Sequence, residues 1–166
     1  RKRDVSMVNK FLQRQGRITN VQLANEIGLS PAPTLERVKK LETGGLINSY
    51  HAVVNAEKVG LGVIIFIEVS LNLHKDTNIE VLMEQIEAIP EVIECYHITG
   101  DSDFLLKVHV GSMQQYQELI ISRLSRIPDI GKVTSKVVLA TVKKSYALPL
   151  AEHLKKPVKG NKILVE

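Results

Sequence analysis

Residues 63–73 alternate without a break: Val63, Ile65, Ile67, Val69, Leu71 and Leu73. Period-two alternation over that length dictates a β-strand. Ile64 and Phe66, on its other side, are also apolar, so the strand is covered on both faces at its start. Such a strand belongs inside a layered domain, and the next residues supply the layers. Ile79, Leu82, Met83, Ile86 and Ile89 recur at helical spacing until Pro90 ends the helix. A second strand is expected over 92–99, a turn over 100–103 and a third strand over 104–110. Ser112, with Gln115 three residues on, forms a capping-box pattern at the start of another helix. Its apolar stripe is Tyr116, Leu119, Ile120, Leu124 and Ile127, and 132–143 reads as a fourth strand.

An internal echo supports that order. Ile89-Pro90-Glu91-Val92 and Ile127-Pro128-Asp129-Ile130 mark the same helix-to-strand junction 38 residues apart. The pattern is a βαββαβ, the ferredoxin-like split βαβ or αβ-plait. Both helices cover one sheet face. The other face leaves Ile64 and Phe66 open, which predicts pairing with a second subunit, sheet to sheet.

The charge is uneven. Residues 1–54 carry a net +5, residues 55–143 a net −4 and residues 144–166 a net +3. A basic front joined to an acidic middle suggests two jobs on one chain, the first with a polyanion.

That basic front reads as three helices and a hairpin. Val5, Val8, Phe11 and Leu12 place a helix over 4–15, ending near Gly16. Thr19 or Asn20 caps a second, with Val21, Leu23, Ala24 and Ile27 facing inward and Gly28 stopping it. A third starts near Pro31–Pro33, with Ser30 as its cap (or Ala32, if Pro33 comes first), and is ended by Gly44-Gly45. Its stripe is Leu35, Val38 and Leu41. Residues 47–55 alternate as a short strand or wing. Ala24 and Gly28 are the informative pair: a helix-turn-helix needs a small side chain at the helix crossing and a left-handed residue at the turn. Leu29 then plugs the corner. The third helix exposes Thr34, Arg37 and Lys40, flanked by Glu36 and Lys39, as a recognition helix presents base-reading and phosphate-binding side chains. The residues assigned to duplex DNA are Ser30, Pro33, Thr34, Glu36, Arg37, Lys39 and Lys40.

Other functions find little footing. Cys95 is the single cysteine, which excludes an internal disulfide or a cysteine zinc site. Aromatics make up 4% and Trp is missing, against base-stacking recognition of single strands or RNA. The histidines at 51, 74, 97, 109 and 153 show no metal-ligand spacing, and no phosphate loop or dinucleotide fingerprint occurs, so neither an enzyme nor a bound metal is expected. No apolar run suits a membrane span, and residues 1–4 do not lead into a signal sequence, which fits a cytoplasmic setting. Asp101 and Asp103 admit three readings: turn residues, partners for a ligand's ammonium group, or oxygen ligands of a divalent ion.

With these elements assembled, the chain resembles the Lrp/AsnC, or feast/famine, regulators. The resemblance rests on "QLANEIGLSPAPTLERVKKLETGGLI", the linker "NAEKVGLG", the turn "TGDSDFLLKV" and the late "YALPL". It implies an α+β chain: a winged helix-turn-helix over 1–54, a linker over 55–62 and a ferredoxin-like effector-binding and oligomerisation (RAM) domain over 63–150. A basic tail follows over 151–166. It further implies a sequence-specific transcription regulator answering to a small effector, commonly an amino acid, and homodimers that assemble into octamers. Matched position by position, the effector residues are His97, Thr99, Gly100, Asp101, Asp103, Met113, Lys136, Val137 and Val138. Lys136 stands where an aromatic residue, and His97 where an aliphatic one, accompanies leucine, so both point away from that ligand. Two heads on a dimer reach half-sites one or more helical turns apart. The alternative is an architectural protein that compacts DNA with little sequence preference and no effector. The tail, Lys155–Lys162 with Ile163-Leu164-Val165, reads as a solvated segment able to add an edge strand to a neighbour.

Overall fold

The computed structural model describes residues 2–72 and 78–149. The tail over 151–166, together with Leu73, His74 and Leu150, lies outside the described residues. The chain divides into two compact units, one of residues 1–52 with 143–166 and one of residues 53–142. Among the described residues no helix is long and apolar enough to cross a membrane.

The first unit holds three helices, α1 (Lys2–Arg14), α2 (Asn20–Ile27) and α3 (Pro31–Thr43). Val8, Leu12, Leu23 and Leu41 form its core, with Phe11, Ile18, Ile27, Val38 and Ile47 packed around them. The expected wing strand over 47–55 is not formed. Those residues have no regular secondary structure, and among the described residues no neighbouring strand offers them a ladder of backbone partners. Two stripe expectations also shift. Val21 is 57% exposed, because it lies two residues, or about 200° of helix, from Leu23. Leu35 is 44% exposed, because the inward face of α3 is Thr34, Val38 and Leu41, at i, i+4 and i+7.

The second unit holds β1 (Val63–Leu71), α4 (Ile79–Glu87), β2 (Val92–His97), β3 (Phe104–Val110), α5 (Met113–Ser122) and β4 (Ile130–Val137), with a 3-10 turn at Leu124–Arg126. The four strands form one antiparallel sheet in the order β2-β3-β1-β4. That is the βαββαβ plait expected from the alternation. Ile65, Ile67 and Val69 of β1 and Phe104, Leu106, Val108 and Val110 of β3 point to the helical side. There they meet Leu82, Ile86 and Ile89 from the α4 region and Leu119, Leu124 and Ile127 from the α5 region. Met83 is exposed, one position around α4 from Leu82, and Ile79 is exposed as the first residue of the helix. β2 ends at His97 rather than 99, and β4 ends at Val137 rather than 143. Residues 143–149 fall with the first unit, where the Leu148 N–H donates to Gln13 Oε1 at 2.6 Å.

Ser112 caps α5 as expected, accepting from the Gln115 N–H at 3.2 Å. The return half of the box is displaced by one residue: Gln115 Oε1 accepts from Gly111 N, at 2.8 Å, and not from Ser112.

Candidate DNA interface and effector site

The turn between α2 and α3 is built by local bonds. Thr19 Oγ1 accepts from the Gln22 N–H at 3.2 Å while Gln22 Oε1 accepts from the Thr19 N–H at 3.0 Å, a complete capping box. At the other end Gly28 takes φ 68°, the left-handed conformation that glycine adopts most freely. The Leu29 N–H reaches Ala24 O at 2.9 Å and the Gly28 N–H reaches Asn25 O at 3.3 Å, the paired closure of a helix C-terminus. Ala24 is fully buried, as its place at the helix crossing requires. Asn20 Nδ2 donates to Pro31 O at 2.8 Å, tying the first residue of α2 to the first of α3. Asn20, expected as the alternative cap to Thr19, is instead the first residue of α2; Gln22 completes the box, and the Thr-x-x-Gln spacing is its signal in the sequence.

The DNA-assigned residues do not all share one environment. Ser30, Glu36, Lys39 and Lys40 are exposed, and Pro33 and Arg37 are half-buried. Arg37 Nη1 donates to Pro33 O at 3.0 Å. Thr34 contradicts the expected exposure: it is fully buried, and its hydroxyl donates to Ser30 O at 2.9 Å. A hydroxyl that bonds its own helix four residues back can be buried without an unsatisfied donor, so Thr34 serves as a core residue. Ser30 stands at the N-cap, but its hydroxyl makes no capping bond. Behind α3, Tyr50 donates its hydroxyl to Glu42 Oε1 at 3.0 Å. Lost hydration, and then the Glu42 carboxylate, push the Tyr50 phenol up to about 12.

In the second unit the turn over 98–103 sits where β2 meets β3. Gly100 has φ 121°, a conformation side chains rarely adopt. Asp103 is held within the fold: its Oδ2 accepts from the Leu71 N–H at 2.7 Å, and its own N–H donates to Val69 O at 2.9 Å. Ser70 Oγ donates to the Asp101 carbonyl at 3.1 Å, while the Asp101 residue stays exposed. Of the three readings of this turn, Asp103 takes the structural one in the free chain, and Asp101 is the open carboxylate. Among the described residues no group of three or more His, Cys, Asp or Glu is placed to hold a metal ion. His97 is exposed and stacks on Phe104, with ring centres 5.0 Å apart and planes 24° apart. Thr99 is exposed beside it.

The remaining positions assigned to the effector lie away from this turn. Met113 opens α5 just after β3, Lys136 and Val137 close β4 with Val138 just past it, Ile65 pairs with Val137, and the Val138 N–H donates to Ile64 O. Lys136 is exposed and ion-paired with Glu68. Met113 lies past the far end of β3, about 20 Å along it at roughly 3.3 Å per residue, while Lys136 and Val137 lie level with Lys107 and Val108 of β3, on the strand three places across the sheet from His97. One chain therefore does not gather all nine positions around one small ligand.

Comparison with known proteins gives a consistent match. A model of the Lrp/AsnC ligand binding domain matches residues 64–148, and a model of the winged helix-turn-helix DNA-binding domain matches residues 10–48. The leucine-responsive regulatory protein of Haemophilus influenzae is 37% identical over 147 residues, 89% of this chain and 88% of that protein. A transcriptional regulator from Neisseria meningitidis, solved as its L-methionine complex, superimposes with a TM-score of 0.84 at 34% identity, covering 88% of this chain and 94% of that one. A feast or famine regulatory protein from M. tuberculosis, complexed with L-methionine, gives a TM-score of 0.76 at 27% identity over 85% and 94% of the two chains.

Proposed function

Because the chain belongs to the Lrp/AsnC family of transcription regulators, with a helix-turn-helix and a ligand-binding domain, we propose that it reads operator DNA through α3 under the control of an amino acid. The observation that carries the DNA half is the α2–Gly28–α3 turn, closed by its own backbone bonds and followed by a helix that exposes Ser30, Glu36, Lys39 and Lys40. Pro33 and Arg37 border that face, and Thr34 supports it from beneath. Exposed lysines on a helix of this kind neutralise phosphates, and base edges are left to its first turns.

The effector is an amino acid held at the second unit. In support, two structural relatives carry L-methionine in their solved complexes. Asp101, beside the positive-φ Gly100, offers a carboxylate to an ammonium group, and nearby turn N–H groups suit a carboxylate. His97 and Thr99 flank them. Met113 stands about 20 Å away along β3, and Lys136, Val137 and Val138 lie on or just past β4, three strands across the sheet from His97. A pocket using both groups is therefore completed by another copy of the chain. Homodimers paired through the outer sheet face, where Ile64, Phe66 and Leu105 stay half-exposed, and their association into octamers, supply such copies.

Replacing Lys39 and Lys40 together by Ala tests the DNA face. Each lost phosphate contact lowers the slope of log affinity against log salt by about 0.9 on duplex DNA, so the pair lowers it by about 1.8. A slope equal to the parent's sinks the assignment. Equal parental affinity for operator and random duplex favours the architectural alternative.

A further inference from the structure

The connection entering β1 is a folded elbow. Asn55 Oδ1 accepts from the Lys58 N–H at 3.1 Å and opens a single helical turn. Gly60, at φ 76°, closes it: the Leu61 N–H reaches Ala56 O at 2.8 Å and the Gly60 N–H reaches Glu57 O at 3.1 Å. This elbow rests on the corner between β3 and α5 at two points. His109 Nδ1 lies 3.1 Å from the Leu61 carbonyl oxygen. A carbonyl only accepts, so Nδ1 carries the proton and donates; the other ring nitrogen, Nε2, is enclosed. The second point is Gly111, where a Cβ would sit 2.5 Å from Gly60 O and 3.0 Å from Gln115 Oε1. Only glycine admits the elbow backbone so closely. Gly111 is also bonded to Gln115, in the first turn of the helix that Met113 begins.

We propose that His109 is a positioning residue that pins the elbow over 55–61 to the β3–α5 corner, so that effector binding at the start of α5 is passed to the chain leading into the DNA-binding unit. The transmission half rests on the assignment of Met113 to the effector site; the pin itself does not. Since the elbow falls within the second unit, movement of α5 carries the elbow with it while His109 and Gly111 hold.

The test uses the full chain and three variants, His109→Leu, His109→Gln and Gly111→Ala. Trypsin cleavage after Lys58 reports release of the elbow. His109→Leu removes the donor, and loss of one such hydrogen bond corresponds to about a tenfold faster cleavage. His109→Gln, whose side-chain amide can donate to Leu61 O, restores the parental rate, and Gly111→Ala behaves as His109→Leu. In parallel, DNA affinity is measured with and without the amino acid that most raises the melting temperature. In His109→Leu the effector-induced change falls below about twofold, while the amino acid still binds. Parental cleavage after Lys58 in both His109→Leu and Gly111→Ala overturns the pin. A released elbow with the full effector-induced change overturns the transmission. If no amino acid alters DNA affinity in the parent, the effector reading and the transmission built on it fall together, and the cleavage rates decide the pin separately.

Discussion

Asp103→Ala separates a carboxylate that holds the fold from one that meets a ligand. In the free chain Asp103 Oδ2 accepts from the Leu71 N–H at 2.7 Å, at the end of β1 where the pairing with β4 shifts register between Ser70 and Leu71. The irregularity leaves that N–H outside the ladder, and the carboxylate is its partner. A hydrogen bond to a charged acceptor contributes about 1.5–3 kcal/mol, and a half-buried donor left without a partner costs a similar amount. Removing the side chain should therefore cost about 2 kcal/mol, a sizeable part of the roughly 5–15 kcal/mol that holds a domain. For a chain of this length that is a fall of about 4–8 °C in melting temperature. Asp103→Asn keeps an acceptor oxygen without the charge and should cost about half as much. Thermal unfolding of parent, Asn and Ala proteins without ligand gives the order directly. An Ala variant that melts with the parent yet no longer answers to the effector refutes the argument and returns Asp103 to the ligand.

Two further perturbations test the corrected faces of the first unit. Thr34→Val keeps the buried shape and removes only a hydroxyl bonded within its own helix, so it should cost about 0.5–1.5 kcal/mol and leave the salt slope of DNA binding unchanged; a reduced slope would put Thr34 back at the phosphates. Tyr50 holds its proton more tightly folded than unfolded, up to about 12 against 10.0. Its contribution is thus complete below pH 10 and is lost as pH rises from 10 towards 12. Urea titrations across that window should show stability falling with pH in the parent and falling less in Tyr50→Phe, with an equal fall in both contradicting the Tyr50–Glu42 contact.

The parts legible in the sequence are those where a residue type has one main backbone use. Gly28 at a left-handed turn, Pro31 in a first helical turn, Ser112 as a cap and the alternation from Val63 each fixed an element, and together they fixed the plait and the helix-turn-helix. The phase of a helix was harder. Thr34 and Leu35 compete for one face of α3, and a hydrophobicity pattern ranks Leu above Thr. The structure buries Thr34 because its hydroxyl finds Ser30 O within the helix. The same ambiguity separates Leu82 from Met83. The wing over 47–55 has strand-like alternation, but a strand also needs a neighbour, which alternation does not reveal. The effector turn stayed open between three readings because the partner of Asp103 lies 32 residues away at Leu71. The elbow read as a linker because one capped turn is too short to show periodicity. Its Asn55 and Gly60 were the signal.

In the proposed reading, an amino acid bound by the chain changes how tightly the same chain holds operator DNA. The direct test is a reciprocal titration: operator affinity with and without the saturating amino acid, and affinity for that amino acid with and without operator. Coupling through one molecule requires both affinities to change by the same factor, typically about 5–150-fold. Matching factors are expected; an operator affinity unmoved by an amino acid that demonstrably binds would rule the coupling out.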